Sequence, residues 1–173
     1  QLYNSSIQKN YIKSLYLLYI MSGIRRWAPP TWIFFHTFAA KINKSFFEQN
    51  RTACLEIIKL ICSCLPCPDC TKHAIHFMKR VNVNTVRTKE ELIDMLYSFH
   101  NQVNIRTYKT PAPREILKTY EKYRMDVAYI NFMNGYPVRY GSIMSGIIST
   151  LGKRKGIAKA VQKWMQQHWA YFQ

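Results

Sequence analysis

The sequence predicts an all-α protein, and three observations carry that prediction. Apolar residues recur at i, i+3 and i+4 in several stretches, the spacing of one buried helix face. Gly (6) and Pro (7) are few, so long helical segments are left uninterrupted. Hydrophobic residues make up 48% and aromatics 14% of the 173 residues, enough for one packed core and too many for a disordered or collagen-like chain. The length suits one domain with an appendage.

Residues 1–23 read as an N-terminal extension. Their apolar part, YIKSLYLLYIM, is short for a membrane span and broken by Lys13, while a polar opening and the lack of a small-residue cleavage site argue against a secretory signal. Met21 reads equally as an internal start or an interior residue. PTWIFFHTFAAKIN (30–43) predicts a first helix with Pro30 in its opening turn and Trp32, His36 and Ala39 or Ala40 on one face. Ser45 is the expected cap of a second helix, FFEQNRTACLEIIKLICSC, whose stripe is Cys54, Ile57, Ile58, Ile61 and Cys62, with Pro66 ending it. A third helix is expected from Cys67, with Lys79 and Arg80 complementing the negative end of its dipole.

Thr88 and Glu91 have the spacing of a capping box ahead of a long fourth helix, LIDMLYSFHNQVNIRTY. Pro111 and Pro113 break the chain, and REILKTYEKYRMDVAYINFM reads as a fifth helix. A Gly- and Pro-punctuated tail follows, closed by a short amphipathic helix, IAKAVQKWMQQHWAYF, which is expected to pack Ile157, Val161, Trp164 and His168 inward with Trp169 beside them.

Lys plus Arg number 25 against 9 Asp plus Glu, a formal charge of +16 that favours an anionic partner. Every acidic residue falls between Glu48 and Asp126, and the tail carries Arg139, Lys153, Arg154, Lys155, Lys159 and Lys163 with no acid. Such a tail suits a membrane surface, a nucleic acid, a partner protein, or packing onto the bundle or a second copy; packing is preferred.

All five cysteines lie in residues 54–70, four of them inside ICSCLPCPDC. A disulfide scaffold spreads its cysteines to close long loops, so this crowding points to a redox pair or a metal site. In CPDC, Cys67 stands at a helix start, where free N–H groups and the dipole favour thiolate, and Cys70 is one turn on. The pair can then form a disulfide and pass on two electrons. Two buried core cysteines are the plainer alternative. A thioredoxin-like setting requires strands, and the flanks here are helical. A zinc-dependent nucleic-acid-binding protein using Cys62, Cys64, Cys67, Cys70, His73 and His76 is the main rival, disfavoured because these ligands run continuously into one helix. Cys62 and Cys64, at i and i+2, point to different faces and read as core thiols rather than a shuttle.

WAPPTWIFFHTFAA, LPCPDC and FHNQVNIRTYK, in that order, resemble the Erv/ALR family of FAD-linked sulfhydryl oxidases over about residues 27–123. The resemblance implies a four-helix bundle with a short fifth helix, an oxidase domain over 24–130 and a basic extension over 131–173. It implies FAD as cofactor, dithiol or thioredoxin-like protein substrates, O2 as acceptor with H2O2 as product, and a homodimer. Carried over position by position, Cys70 is the cysteine nearest the flavin and Cys67 the interchange thiol. Ala28, Trp32 and His36 on the first helix, and His100, Asn101, Val103 and Asn104 on the fourth, contact the cofactor. Arg106 and Lys109 neutralise the pyrophosphate, and Tyr120, or less well Tyr123, is the aromatic near the adenine. Ala28 departs from the family's Gly. The missing distal and tail cysteines resemble the compact members of large DNA viruses, which implies work in the host cytoplasm or virion.

Overall fold

The computed structural model describes residues 26–137 and 145–172; the extension expected over 1–23, and Arg139, lie outside the described residues. Eight α-helices are present among those residues: α1 (26–41), α2 (Lys44–Gln49), α3 (Arg51–Cys62), α4 (Pro68–Met78), α5 (Lys89–Arg106), α6 (Leu117–Lys122), α7 (Met125–Gly135) and α8 (Ser145–His168). Short 3-10 turns at Arg114–Ile116 and Trp169–Tyr171 precede α6 and follow α8. The all-α fold is as expected, and no strand forms among the described residues.

One core holds these helices together. α1 contributes Phe34, Phe35, Phe38 and Ala39, with Ile42 just past its end; α3 contributes Cys54, Leu55, Ile58, Ile61 and Cys62; α5 contributes Leu92, Leu96 and Phe99. Phe132 of α7 stacks on Phe34 with ring centres 4.5 Å apart. Ile157, Ala158, Val161 and Met165 of α8 enter the same core.

Several elements differ from the sequence expectation. α1 is already under way at residue 26, so both prolines lie inside the helix rather than opening it. Pro30 has no N–H to offer the Arg26 carbonyl one turn back, and Gly135 of α7 approaches that oxygen. A Cβ on Gly135 would sit 2.6 Å from the Arg26 O. Gly135→Ala is therefore expected to force α7 off the start of α1 and cost about 1–3 kcal/mol, read as a lowered thermal midpoint.

The expected second helix is two helices, because Asn43 rather than Ser45 caps the first, its side chain accepting from Phe46 N at 3.0 Å. Asn50 then closes α2 by donating its own N–H and its Nδ2 to the Phe46 carbonyl, both at 2.9 Å. α3 ends at Cys62, capped by Ser63, three residues before Pro66. The capping box is present as expected, with Glu91 N donating to Thr88 Oγ1 and Thr88 N to Glu91 Oε2, both at 3.1 Å. The expected fifth helix is cut into a 3-10 turn, α6 and α7, with extended backbone at Tyr123 and Arg124.

The tail helix is longer than expected at 24 residues and passes through Gly152 and Gly156, whose positions are open. Ile157 and Val161 pack inward as read. Met165 and Phe172 are buried as well, Trp164 stacks on His168, and Trp169 is 38% exposed. Asn43 N donates to Tyr171 O at 2.7 Å and pins the chain end to the turn after α1.

Candidate active site

The site is built around the segment between α3 and α4. Pro66 and Pro68 bracket Cys67, which takes extended backbone (φ −102°, ψ 118°) and caps α4. Thr71 fastens the loop: its Oγ1 accepts from Leu65 N at 2.9 Å and lies within hydrogen-bonding distance of the Leu65 and Cys67 carbonyls. Tyr136 of the segment after α7 donates to the Cys64 and Ile61 carbonyls at 2.9 and 3.2 Å, which satisfies carbonyls left free at the end of α3.

Cys67 and Cys70 form a disulfide, with Cα atoms 5.2 Å apart. Cys70 N donates to Cys67 Sγ at 3.2 Å, so the N-terminal N–H groups of α4 and its dipole bear directly on that sulfur. Cys54, Cys62 and Cys64 are free and buried. Burial pushes the Cys54 thiol up to about 12 and raises that of Cys62 as well, which makes both poor nucleophiles. Cys64 Sγ donates to the Thr150 carbonyl of α8 at 3.7 Å.

Cys70 lines a cavity of about 340 Å³, within the ordinary range for a ligand pocket. Ala28 and Trp32 of α1, His100, Val103, Asn104 and Arg106 of α5, Lys109 beyond it and Tyr120 of α6 line the same space. Eight of the ten cofactor positions expected from the sequence thus converge there. Trp32 and His100 stack in parallel, 4.0 Å between centres and 2° between planes, and Trp32 meets Phe99 edge-on at 5.0 Å.

Two expected residues stand apart from the wall. His36 is buried behind it, sharing a hydrogen bond with His100 (Nε2 to Nδ1, 2.9 Å) and stacking on Tyr120 at 4.5 Å. Asn101 turns to the loop before α6, where Oδ1 accepts from Ala112 N at 2.8 Å and Nδ2 donates to Ala112 O at 3.1 Å. It also accepts from Asn104 Nδ2 at 3.3 Å, so it orients a lining residue rather than lining itself. Trp27, Leu65, Cys62, Phe99 and Thr107 belong to the wall without having been singled out for it. The position of Leu65 one residue short of CPDC, with only Pro66 between, was the available signal for one of them; the others are brought in by packing between helices.

Burial, reinforced by His100, holds His36 down to about 3; burial, reinforced by Lys109, holds His100 down to about 4. Both rings are therefore neutral at neutral pH and can share one N–H between them. Both folded values lie below the ordinary 6.5, so the unfolded chain binds protons first as pH falls. This part of the stability is present above pH 6.5, declines by about 1.4 kcal/mol per pH unit per ring below it, and is gone once pH passes under the folded values. The thermal midpoint should accordingly fall between pH 7 and 5, and the fall should shrink in His36→Gln; equal slopes in both proteins would contradict this placement of the pair.

The C-terminus of α5 sets the cavity mouth. Lys109 N donates to Asn104 O at 2.8 Å and Tyr108 N to Ile105 O at 3.1 Å, with Tyr108 in the left-handed region (φ 57°). This reversal brings both Arg106 and Lys109 to the cavity wall. Parallel aromatic faces, two cations at one edge and a disulfide at another suit a planar, electron-accepting, anionic ligand. Among the described residues, no group of three His, Cys, Asp or Glu is arranged to hold a metal ion.

Comparison with known proteins identifies a family and relatives for the chain. A sequence model of the Erv1/Alr family matches residues 29–124. The chain is 30% identical over 101 residues to a protein of Invertebrate iridescent virus 3 named as an inferred FAD-linked sulfhydryl oxidase, 096R, covering 57% of this chain and 66% of that protein. It is 26% identical over 98 residues to the similarly named 347L of Invertebrate iridescent virus 6, covering 53% of this chain and 88% of that protein. The chain thus spans slightly under two thirds of the first of these relatives. No solved structure matches.

Proposed function

The chain belongs to the Erv1/Alr family, and from that premise we propose that it is an FAD-linked sulfhydryl oxidase that makes disulfides in substrate proteins. The observation that carries this reading is the position of Cys70: bonded to Cys67 on one side, it lines an aromatic cavity on the other. A disulfide reachable from outside and touching a cofactor-sized space from inside is suited to pass electrons between the two.

Cys67 takes the first step. It does not line the cavity, and it is half-buried at the helix N-terminus. A substrate thiolate bonds to Cys67 Sγ, the Cys67–Cys70 bond breaks, and its electron pair goes to Cys70, which leaves as thiolate. A second substrate thiolate then displaces Cys67, releasing oxidised substrate and leaving both enzyme cysteines reduced. The dipole of α4 stabilises the thiolates formed at its first turn.

The residues present fit FAD. Trp32, Phe99, His100 and Tyr120 offer ring faces and edges, and Arg106 and Lys109 offer cations for a pyrophosphate. His36 and Asn101 hold His100 and Asn104 in position. When bound, FAD would take two electrons from the reduced pair and deliver them to O2, giving H2O2.

The same reading extends to thioredoxin-like substrates, a homodimer, and work in the cytoplasm of an infected host cell or in the virion; the iridescent-virus relatives support the viral part. Residues 24–130 would carry the oxidase function. The basic segment from 131 onward, whose α8 shares the core, would present its outer face to a partner protein or an anionic surface. No helix among the described residues is long and apolar enough to cross a membrane.

Purified protein tests the reading. It should be yellow, release FAD on denaturation, and consume oxygen when given a dithiol. A folded, colourless protein that binds no added FAD and consumes no oxygen would overturn it.

A further inference from the structure

We propose that the outer face of α4 is the docking surface for the protein substrate, and that it selects dithiols bordered by acidic residues. This rests on the oxidase reading above and goes beyond it, because it names the chemistry of the partner. Since Cys70 lines the cavity and Cys67 does not, an incoming thiol must reach Cys67 from outside. α4 begins at that cysteine, so its solvent face is the surface a substrate meets.

That face is basic. Lys72, Lys79 and Arg80 are exposed on it or just past its end, together with the exposed rings of His73 and His76. Asp69 is its one carboxylate, and Lys72 already engages it at 3.7 Å. Lys79 and Arg80 make no ion pair among the described residues. At about 1.5 Å per residue, Lys72 stands about 7 Å and Lys79 about 18 Å along the axis from Cys67. A Debye length is about 8 Å at physiological salt, so Lys72 acts on residues beside a dithiol that has reached Cys67, while Lys79 and Arg80 act on a partner segment that continues along α4. Ile75, 40% exposed in their midst, adds an apolar contact.

Charge on such a face acts mainly on encounter rate and on partner choice. An acidic border on the substrate gains attraction, and a basic border is repelled. A nucleic acid would also meet the charge, but the face borders a disulfide whose chemistry consumes thiols, which favours a dithiol protein.

The test uses three synthetic peptides with the same Cys-x-x-Cys, flanked by Asp and Glu, by Ser and Gly, or by Lys, with dithiothreitol as a small uncharged reference. Oxygen uptake is followed at low and high salt in the full chain and in Lys72→Gln/Lys79→Gln/Arg80→Gln. In the full chain, kcat/KM for the acidic peptide should exceed that for the neutral one by about 10-fold or more, and the advantage should collapse in high salt and in the triple variant while dithiothreitol turnover persists. Equal rates for the acidic and neutral peptides would overturn the proposal and leave the oxidase reading intact. So would binding of a DNA duplex that the triple variant abolishes, if the peptides showed no preference. Absence of turnover even with dithiothreitol would remove the oxidase reading itself, and this proposal with it.

Discussion

Cys70→Ala is expected to abolish dithiol-driven oxygen uptake, by about 10³-fold or more, the scale on which a member of a catalytic unit is lost. Cys67→Ala should do the same for a different reason. Without Cys67 no external thiol finds a sulfur to attack; without Cys70 the one lining sulfur bonded to Cys67 is gone, and Cys62, which also lines the cavity, is a free buried thiol whose raised pKa makes it a poor substitute. The bond between them closes a loop of four residues, so its loss costs at most about 2 kcal/mol of stability by the loop-entropy relation. Both variants should therefore remain folded, and both should still hold cofactor. Cys54→Ala and Cys64→Ala are the controls. Both residues are buried and neither lines the cavity, so turnover should survive; its loss in Cys64→Ala would mean that a thiol placed here in the core carries electrons.

Trp32→Ala should have the next largest effect, on cofactor retention and on stability together. Trp32 touches four rings: Phe35, His36, Phe99 and His100. Its removal opens the cavity toward the core and unstacks His100, at a cost of about 3–5 kcal/mol if the space stays unfilled. FAD should then be lost on purification, and the thermal midpoint should drop by several degrees. Trp32→Phe keeps a ring face and should recover most of the cofactor. If Trp32→Ala instead keeps its FAD at full occupancy, the wall formed by α1 and α5 is not where the cofactor sits.

What could be read from the sequence was local. The Thr88–Glu91 box was legible from spacing, and spacing allowed, among other readings, a disulfide at the start of α4 and an inward face on α8, because each depends on residues within a turn or two of one another. Eight of the residues that line the cavity were legible for another reason: three short strings in register resembled a family. The break at Asn50 was hidden by the apolar pattern that runs on across it, although Asn favours caps over helix interiors; its capping bond to the Phe46 carbonyl emerges only in the folded turn. Gly152 and Gly156 read as punctuation, yet packing of Ile157, Ala158, Val161 and Met165 carries α8 through them. His36 matched a cofactor position in sequence, but its ring is turned onto His100 and Tyr120 by contacts across 64 and 84 residues of chain. Contacts at such separations leave no local spacing to read.

The account stands on one flow of electrons, from a substrate dithiol through Cys67 and Cys70 to a cofactor held beside Trp32 and His100. The most direct measurement is the stoichiometry of the purified flavin-loaded protein acting on a reduced peptide, with O2 consumed, H2O2 formed and peptide thiols lost recorded together. The account predicts one O2 and one H2O2 for every two thiols, with all three absent in Cys70→Ala. Thiol oxidation that continues at the same rate in Cys70→Ala, or that proceeds without consuming oxygen, would contradict it.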